Sequence, residues 1–366
     1  MADIPLEIES NIISTQVKLL QLEAGIRIKV EKLLLEVEKE LVARLTNADP
    51  TRPVRTAYQR KRLDALLKDI QKLLATDFAN IAKEVTKDLE KVVEYSNELA
   101  AKAVNDALGV EIIKAVVTAD ELSLIVREGL VEGAPSAEWW ARQAGDLREK
   151  FADEVRKGMA QGETLPDIVA RIRGKRAYLD RPAYSGIMDV SRRNAFALVR
   201  TMVIAASNDA HMSLFRANDD LVRGIQWVST LDSRTSIICR ALDGLTWDLD
   251  YKPIGHDQKY PGPTAHWGCR STQTPLLRDW TELIDNPRLA KALNDFDSGT
   301  RASIGGQVKD STKYNDWLSK RSETEQIEIL GKQRQKLFAT GKADTIDMID
   351  QRNNPRTVKQ LREYVG

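Results

Sequence analysis

The sequence predicts an α+β fold that is mostly α. Long N-terminal helices lead to a small mixed domain with short antiparallel strands, and a helical C-terminal tail follows. Three observations carry this. Apolar residues recur at helical spacing from the N-terminus almost to Leu221. The period changes to alternation at Gly224–Ser229, in residues that favour strands. Both cysteines, two of the three histidines and four of the twelve prolines then fall within residues 227–276. The boundaries that follow are a helical arm or bundle over 1–134, a helical connector over 135–222, a small α+β core with a Cys/His loop over 223–280, and a helical tail over 281–366.

Residues 5–44 place Ile8, Ile12, Val17, Leu20, Ile26, Val30, Leu34, Val37 and Leu41 at helical spacing, with charges such as Glu31, Lys32 and Glu36 between them. Asn47, Asp49 and Pro50 end this helix. A second runs from about Thr56 to Gly109, with a break expected near Thr76-Asp77, and two such helices pair as an antiparallel hairpin. Thr118–Glu121 is a capping box. Ser136 to Gln161 forms the next helix, closed by Gly162, with Trp139 and Trp140 read as packing residues. Thr164–Asp167 starts a short helix, and Pro182 leads into an apolar one that ends near Asn208. Beyond the strand at 224–229, Ile237–Cys239 and Leu245–Trp247 are read as flanking an Asp243-Gly244 turn. Residues 251–266 form a proline-rich loop, and Arg270–Thr274 returns as a strand. Gly305-Gly306, Gly331, Gly341 and Pro355 punctuate the tail.

Apolar residues make up 42% and charged residues 30% of the 366, as in a folded helical protein, and the net charge of +1 implies no whole-molecule attraction to nucleic acid. The cluster Arg52, Arg55, Arg60, Lys61, Arg62 is either a local contact for DNA phosphates or a solvated face. Two cysteines fit a protein made in a reducing cytoplasm. The acidic start lacks the pattern of a signal peptide, and no apolar run reaches the ~18 residues of a membrane span.

Cys239, His266 and Cys269 are zinc ligands by type, and thiolate with imidazole suits zinc better than oxygen-seeking ions. His266-Trp-Gly-Cys269 lets one tight turn present two of them. Cys239 approaches from the hairpin, and His256 or Asp232 completes a tetrahedron. A structural zinc would pin the long loop to the strands. The other reading makes the cysteines an ordinary reduced or cystine pair, with Cys239 packed as a small apolar residue and His266 bonded to loop backbone. Asp232 and Arg234 are read as an ion pair that fixes the strand end. Asp243-Gly244 supplies a positive-φ turn, and Arg270 caps loop carbonyls or meets a carboxylate in a bidentate pair. No His-Glu-x-x-His, phosphate-binding loop or His-x-Glu deaminase pattern occurs, so no catalytic residue is assigned.

Taken in order, Thr230, Asp232, Arg234, Thr235, Cys239, Leu242-Asp243-Gly244, Pro261, Pro263, His266, Cys269 and Arg270 resemble the head morphogenesis proteins of tailed phages, the Mu F-like minor head protein family. Tyr314, Trp317-Leu318, Leu330-Gly331, Arg334, Leu337 and Gly341-Lys342 extend the resemblance, which covers about residues 160 to 366. It implies a minor capsid protein, not an enzyme, that binds the portal protein inside the procapsid. Capsid or scaffold proteins, and double-stranded DNA through local basic faces, are its further implied partners. It also implies a role in head assembly and in DNA packaging or delivery. The protein would be assembled in the host cytoplasm and reside in the head interior near the portal. Relatives fused to toxins suggest the alternative, a metal-dependent hydrolase or toxin-like transferase. One departure is plain: many members carry a second cysteine near each of the two present here, where this chain has Ser236 and Ser271. The double replacement implies that the missing pair touch in relatives.

Overall fold

The structure, a computed structural model, describes residues 4–48, 57–109, 111, 113, 117–174, 185–279, 282, 300–303, 306–309 and 311–366. Its chain forms two compact units. One is built from Met1–Gln21, Glu90–Ile125 and Val203–Gly366, the other from Leu22–Leu89 and Val126–Met202.

Among its described residues, the unit of Leu22–Leu89 and Val126–Met202 is built of helices and a two-residue-strand hairpin, β1 (Leu130–Val131) with β2 (Ala134–Pro135). It takes its share of α1 (Ile4–Ala48) and α2 (Ala57–Leu108). In α1, Ile26, Val30, Leu34, Val37, Leu41 and Leu45 are buried. Their 4-4-3-4-4 spacing is an eleven-residue repeat. That repeat averages about 3.67 residues per turn, so the stripe stays nearly in line along a straight helix. In α2, Ile70, Leu74, Phe78, Ile81, Val85 and Leu89 answer it with the same rhythm. Lys29 pairs with Asp88 at 3.1 Å and Arg44 with Asp69 at 2.9 Å, so here the helices run antiparallel, as expected. The break expected at Thr76-Asp77 does not occur. Leu74, Phe78 and Ile81 carry the buried stripe straight through it, and Asp costs a helix interior only about 0.7 kcal/mol against alanine.

In the same unit, α4 (Ser136–Gln161) buries Trp140, whose ring lies 6.4 Å from that of Phe78. Gly162, at φ 70, ends this helix. Thr164 and Asp167 form the reciprocal cap of α5 (Leu165–Arg173). The α1 stripe is interrupted by Glu23, buried between Arg27 at 3.4 Å and Arg200 at 3.5 Å. Arg60, Lys61 and Arg62 stand exposed on α2, whereas Arg52 and Arg55 lie outside the described residues.

In the other unit, the Asn11 side chain donates to the Ala103 carbonyl at 3.3 Å, again between α1 and α2. Thr118 and Glu121 make the expected capping box at α3 (Ala119–Glu128). The helix α6 (Ile187–Arg216) does not stop at Asn208. Asn208 is buried and its amide bonds to the Pro263 carbonyl at 2.7 Å, so it holds a loop instead of competing for its own backbone.

The sheet of this unit is antiparallel, with strand order β5 (Pro253–Ile254), β4 (Thr246–Asp248), β3 (Val222–Val228), β6 (Thr272–Leu277). Trp247 lies opposite Ile225, and Gln273 opposite Trp227. Gly224 sits where β4 crowds closest; a Cβ there would meet the Trp247 carbonyl oxygen at 2.2 Å. Ile237–Cys239, expected as a strand, opens the short helix α7 (Ile237–Leu242). Ser236 caps it by accepting from the Cys239 N–H, a local signal that outweighs the strand preference of two isoleucines.

The tail is helical only in part. A hairpin of β7 (Thr300–Ser303) and β8 (Gly306–Lys309) occupies a stretch expected to be helical. The helices α8 (Tyr314–Ser319), α9 (Glu323–Leu330), α10 (Lys332–Ala339) and α11 (Val358–Val365) follow. Gly331 and Gly341, at φ 74 and 67, turn the chain between them. Tyr314, Trp317, Leu318, Leu330, Phe338, Met348 and Leu361 close a core around Leu231, three residues beyond the end of β3. Among the described residues no helix is long and apolar enough to cross a membrane.

Candidate metal centre

The site lies where the start of α7 meets the loop entering β6. The cap at Ser236 fixes the first turn of α7 and buries Cys239. The tight turn from His266 to Cys269 closes with a backbone bond of 3.1 Å and uses Gly268 at φ 72. It brings His266 and Cys269 to the same point. Asn208 holds this loop from below through the Pro263 and Ser271 carbonyls.

Cys239 Sγ lies 3.6 Å from Cys269 Sγ and 3.2 Å from His266 Nε2. The cysteines are free thiols, both fully buried, and with His266 they offer three ligand atoms within 4.8 Å of one another, a group that can hold a metal. The Ser236 hydroxyl is 2.7 Å from the same Nε2. The hydrogen bond between the thiols, with burial, pushes Cys239 well above its usual range. The same bond, with the His266 ring, holds Cys269 well below.

His256 is placed elsewhere. Its Nε2 is 2.7 Å from the Thr246 carbonyl, and its Nδ1 accepts from the Gln258 N–H at 3.1 Å. Its ring packs edge-on to Trp247, burial lowers its pKa, and its nitrogens are taken by β4 and by the proline-rich loop. Asp232 is committed as well. Its two oxygens accept from the Arg270 guanidinium at 2.7 Å each, the bidentate pair expected of Arg270. Burial alone would raise the Asp232 carboxyl, but the Arg270 contact outweighs it and leaves the pKa lowered. Arg234, expected as the ion partner, is 82% exposed and only 3.8 Å away at its nearest; its backbone N–H makes the stronger contact to Asp232, at 3.0 Å. Asp243 bridges two backbones, accepting from the Ser229 N–H and the Tyr314 N–H at 2.7 Å each. Gly244 turns at φ 79, as expected, against the Lys313 side chain.

Several contributors carry little signal in the sequence. Ser271 meets the Ser229 hydroxyl at 3.1 Å, and Ser229 also donates to the Cys239 carbonyl. The Tyr314 hydroxyl donates to the Asp232 carbonyl at 2.7 Å. Arg240 donates to the Ile329 and Ser233 carbonyls and lies over the Tyr314 ring. A buried asparagine in the apolar run of α6 was the one legible hint of Asn208.

A small antiparallel sheet flanked by helices, with a Cys-His-Cys loop pinned by an Asp–Arg pair, is the class of domain at hand. Residues 149–274 match the family model described as Phage Mu protein F like protein, so the chain carries a Phage Mu protein F-like domain over that span. The tail that supplies Tyr314 lies beyond the matched residues. No curated protein and no solved structure matches the chain.

Proposed function

We propose that this chain is a minor capsid protein of a tailed phage, bound to the portal protein inside the procapsid and assisting head assembly and DNA packaging or delivery. The observation that carries the reading is the Mu F-like domain over residues 149–274, a domain of a phage head protein family. Two further features support it. The α1 helix keeps Ile28 56% and Leu35 40% exposed, seven residues apart on one face, which suits docking against another helix. The balanced net charge of +1 suits a protein whose first partner is protein, with DNA contact left to local faces such as Arg60, Lys61 and Arg62. In the same reading, Cys239, His266 and Cys269 hold a structural zinc that ties the loop to α7.

The test is co-expression of the full chain with the portal protein encoded beside it, followed by affinity capture. Wild type is compared with Ile28→Glu/Leu35→Glu, both on an exposed face and so compatible with folding. Capture of portal by the wild type and its loss in the double variant is the expected result. Capture unaffected by the substitutions would move docking off α1. No capture by the wild type would overturn the portal reading.

A further inference from the structure

The three ligand atoms already stand close to the corners of a zinc tetrahedron. Bonds of about 2.3 Å to thiolate and about 2.0–2.1 Å to imidazole, at tetrahedral angles, require edges of about 3.8 Å between sulfurs and about 3.6 Å from sulfur to nitrogen. The two edges at Cys239 are 3.6 Å to the Cys269 sulfur and 3.2 Å to His266 Nε2, within a few tenths of an ångström of these values, and the third edge is no longer than 4.8 Å. The His266 ring is also set for the task. Its Nδ1 lies 2.9 Å from the Trp267 carbonyl, which accepts that N–H and leaves the Nε2 lone pair facing the sulfurs. Two thiolates and a neutral imidazole cancel the charge of a divalent ion, which suits a pocket with both sulfurs buried.

The fourth corner has no strong ligand. Among the described residues the ligand group stops at three. His256 and Asp232 are held by their own partners. Two hydroxyls adjoin the group: Ser271, which reaches Cys239 but is held by the Ser229 hydroxyl at 3.1 Å, and Ser236, 2.7 Å from His266 Nε2 and already accepting from the Cys239 N–H at 3.2 Å. A neutral hydroxyl is a weak zinc ligand beside thiolate, imidazole or carboxylate. Ser236 and His266 are only half-buried, unlike the two cysteines, so the group is least shielded on their side.

We infer that the centre binds Zn2+ through Cys239, Cys269 and His266 and keeps its fourth coordination position, on the Ser236 side, open to water and to small exchangeable donors such as imidazole. The inference rests on the metal reading above and adds the open position to it. The full chain is purified reduced and assayed for metal. It is then loaded with Co2+ and titrated with imidazole while the d–d bands are followed, with Ser236→Cys in parallel. Stoichiometric zinc and a saturable spectral change with imidazole in the wild type are expected. In Ser236→Cys the change disappears, and zinc is held more tightly against a chelator by at least about tenfold, about 1.4 kcal/mol. Stoichiometric zinc with cobalt bands unmoved by imidazole would overturn the open position and leave the metal reading standing. A wild type that takes neither metal, with both thiols titrating as free, would overturn the metal reading and the open position with it. The imidazole titration of the wild type decides the matter even if Ser236→Cys does not fold.

Discussion

Removing the Asp243 carboxylate should detach the C-terminal tail from the sheet. Asp243 is 5% exposed and accepts from two backbone amides, those of Ser229 at the end of β3 and Tyr314 at the start of α8, at 2.7 Å each. Hydrogen bonds to a charged acceptor contribute about 1.5–3 kcal/mol each, and alanine would leave both donors buried and unmatched. Asp243→Ala should therefore destabilise the unit by about 3–5 kcal/mol. Asp243→Asn restores one acceptor and turns an NH2 on the other amide, and should lose about half of that. Urea unfolding followed by fluorescence of the buried Trp227, Trp247 and Trp317 reads the loss, and hydrogen exchange at the Ser229 and Tyr314 amides localises it. Asp250→Ala is the control, since its side chain is 78% exposed and meets Lys252 only at 3.5 Å; it should stay within about 0.5 kcal/mol of wild type. An Asp243→Ala variant as stable as that control, or with both amides exchanging as before, would refute the bridging role.

Arg270→Lys replaces the two-pronged contact to Asp232 with a point charge, and should destabilise by about 2–4 kcal/mol in chemical denaturation, below the usual cost for a fully buried pair because Arg270 keeps some exposure. Because the Asp232 pKa is lowered in the fold, the stability this pair contributes is present above the ordinary carboxylate pKa of about 3.9 and is lost as pH falls through the lower folded value; acid titrations of wild type and Arg270→Lys should diverge above that range and converge below it. Asp209 behaves oppositely. Burial pushes its carboxyl up to about 7, so the fold favours its neutral form, and stability intact at low pH is lost as pH rises towards and past that value. Asp209→Asn should remove a loss of about 2–4 kcal/mol between about pH 4 and 8, read from urea midpoints across that range. Gly224→Ala should drive β3 off β4, since its Cβ would stand 2.2 Å from the Trp247 carbonyl oxygen; a loss of about 1–3 kcal/mol or more in thermal unfolding is expected, with faster exchange along β4.

The parts of this fold that announce themselves are those decided locally. The capping box at Thr118–Glu121 and the Ser136–Gln161 helix with its Gly162 stop follow from side chains within a turn of where they act. Features with competing local signals, or decided by distant contacts, were less legible. Ile237-Ile238 reads as strand on its own, yet Ser236 caps a helix there that delivers Cys239 to a loop thirty residues away. Asn208 reads as a helix end until the Pro263 carbonyl is placed against it. Ligand type alone named Cys239, His266 and Cys269 together with His256. Only the contacts of His256 to Thr246 and Gln258 separate it from the other three, because a histidine beside a proline-rich loop looks the same whether it serves an ion or the loop.

The remaining motif residues sort by what they hold. Asp232 joins Arg270 through its carboxylate and Tyr314 through its carbonyl, while Asp243 joins Ser229 and Tyr314 through one carboxylate. Both aspartates thus end on the same tail residue, although the tail lies outside the span that matches the family model. Tyr314 is fully buried and shares a core with Leu231, so the tail completes this unit and is not an appendage to it. Losing the tail would leave Leu231 uncovered and one oxygen of Asp243 without its partner, two losses that fall on the strand end leading into α7 and hence on Cys239. A frame of this kind separates two sets of variants. Substitutions at Asp243 or Tyr314 should loosen the frame and lower stability whether or not metal is present. Substitutions at His266 should release the ion and leave the frame's own hydrogen bonds in place. A His266→Ala chain that lost its tail protection in hydrogen exchange along with its metal would show that the two are one cooperative structure, and that the ion supports the tail as well as the loop.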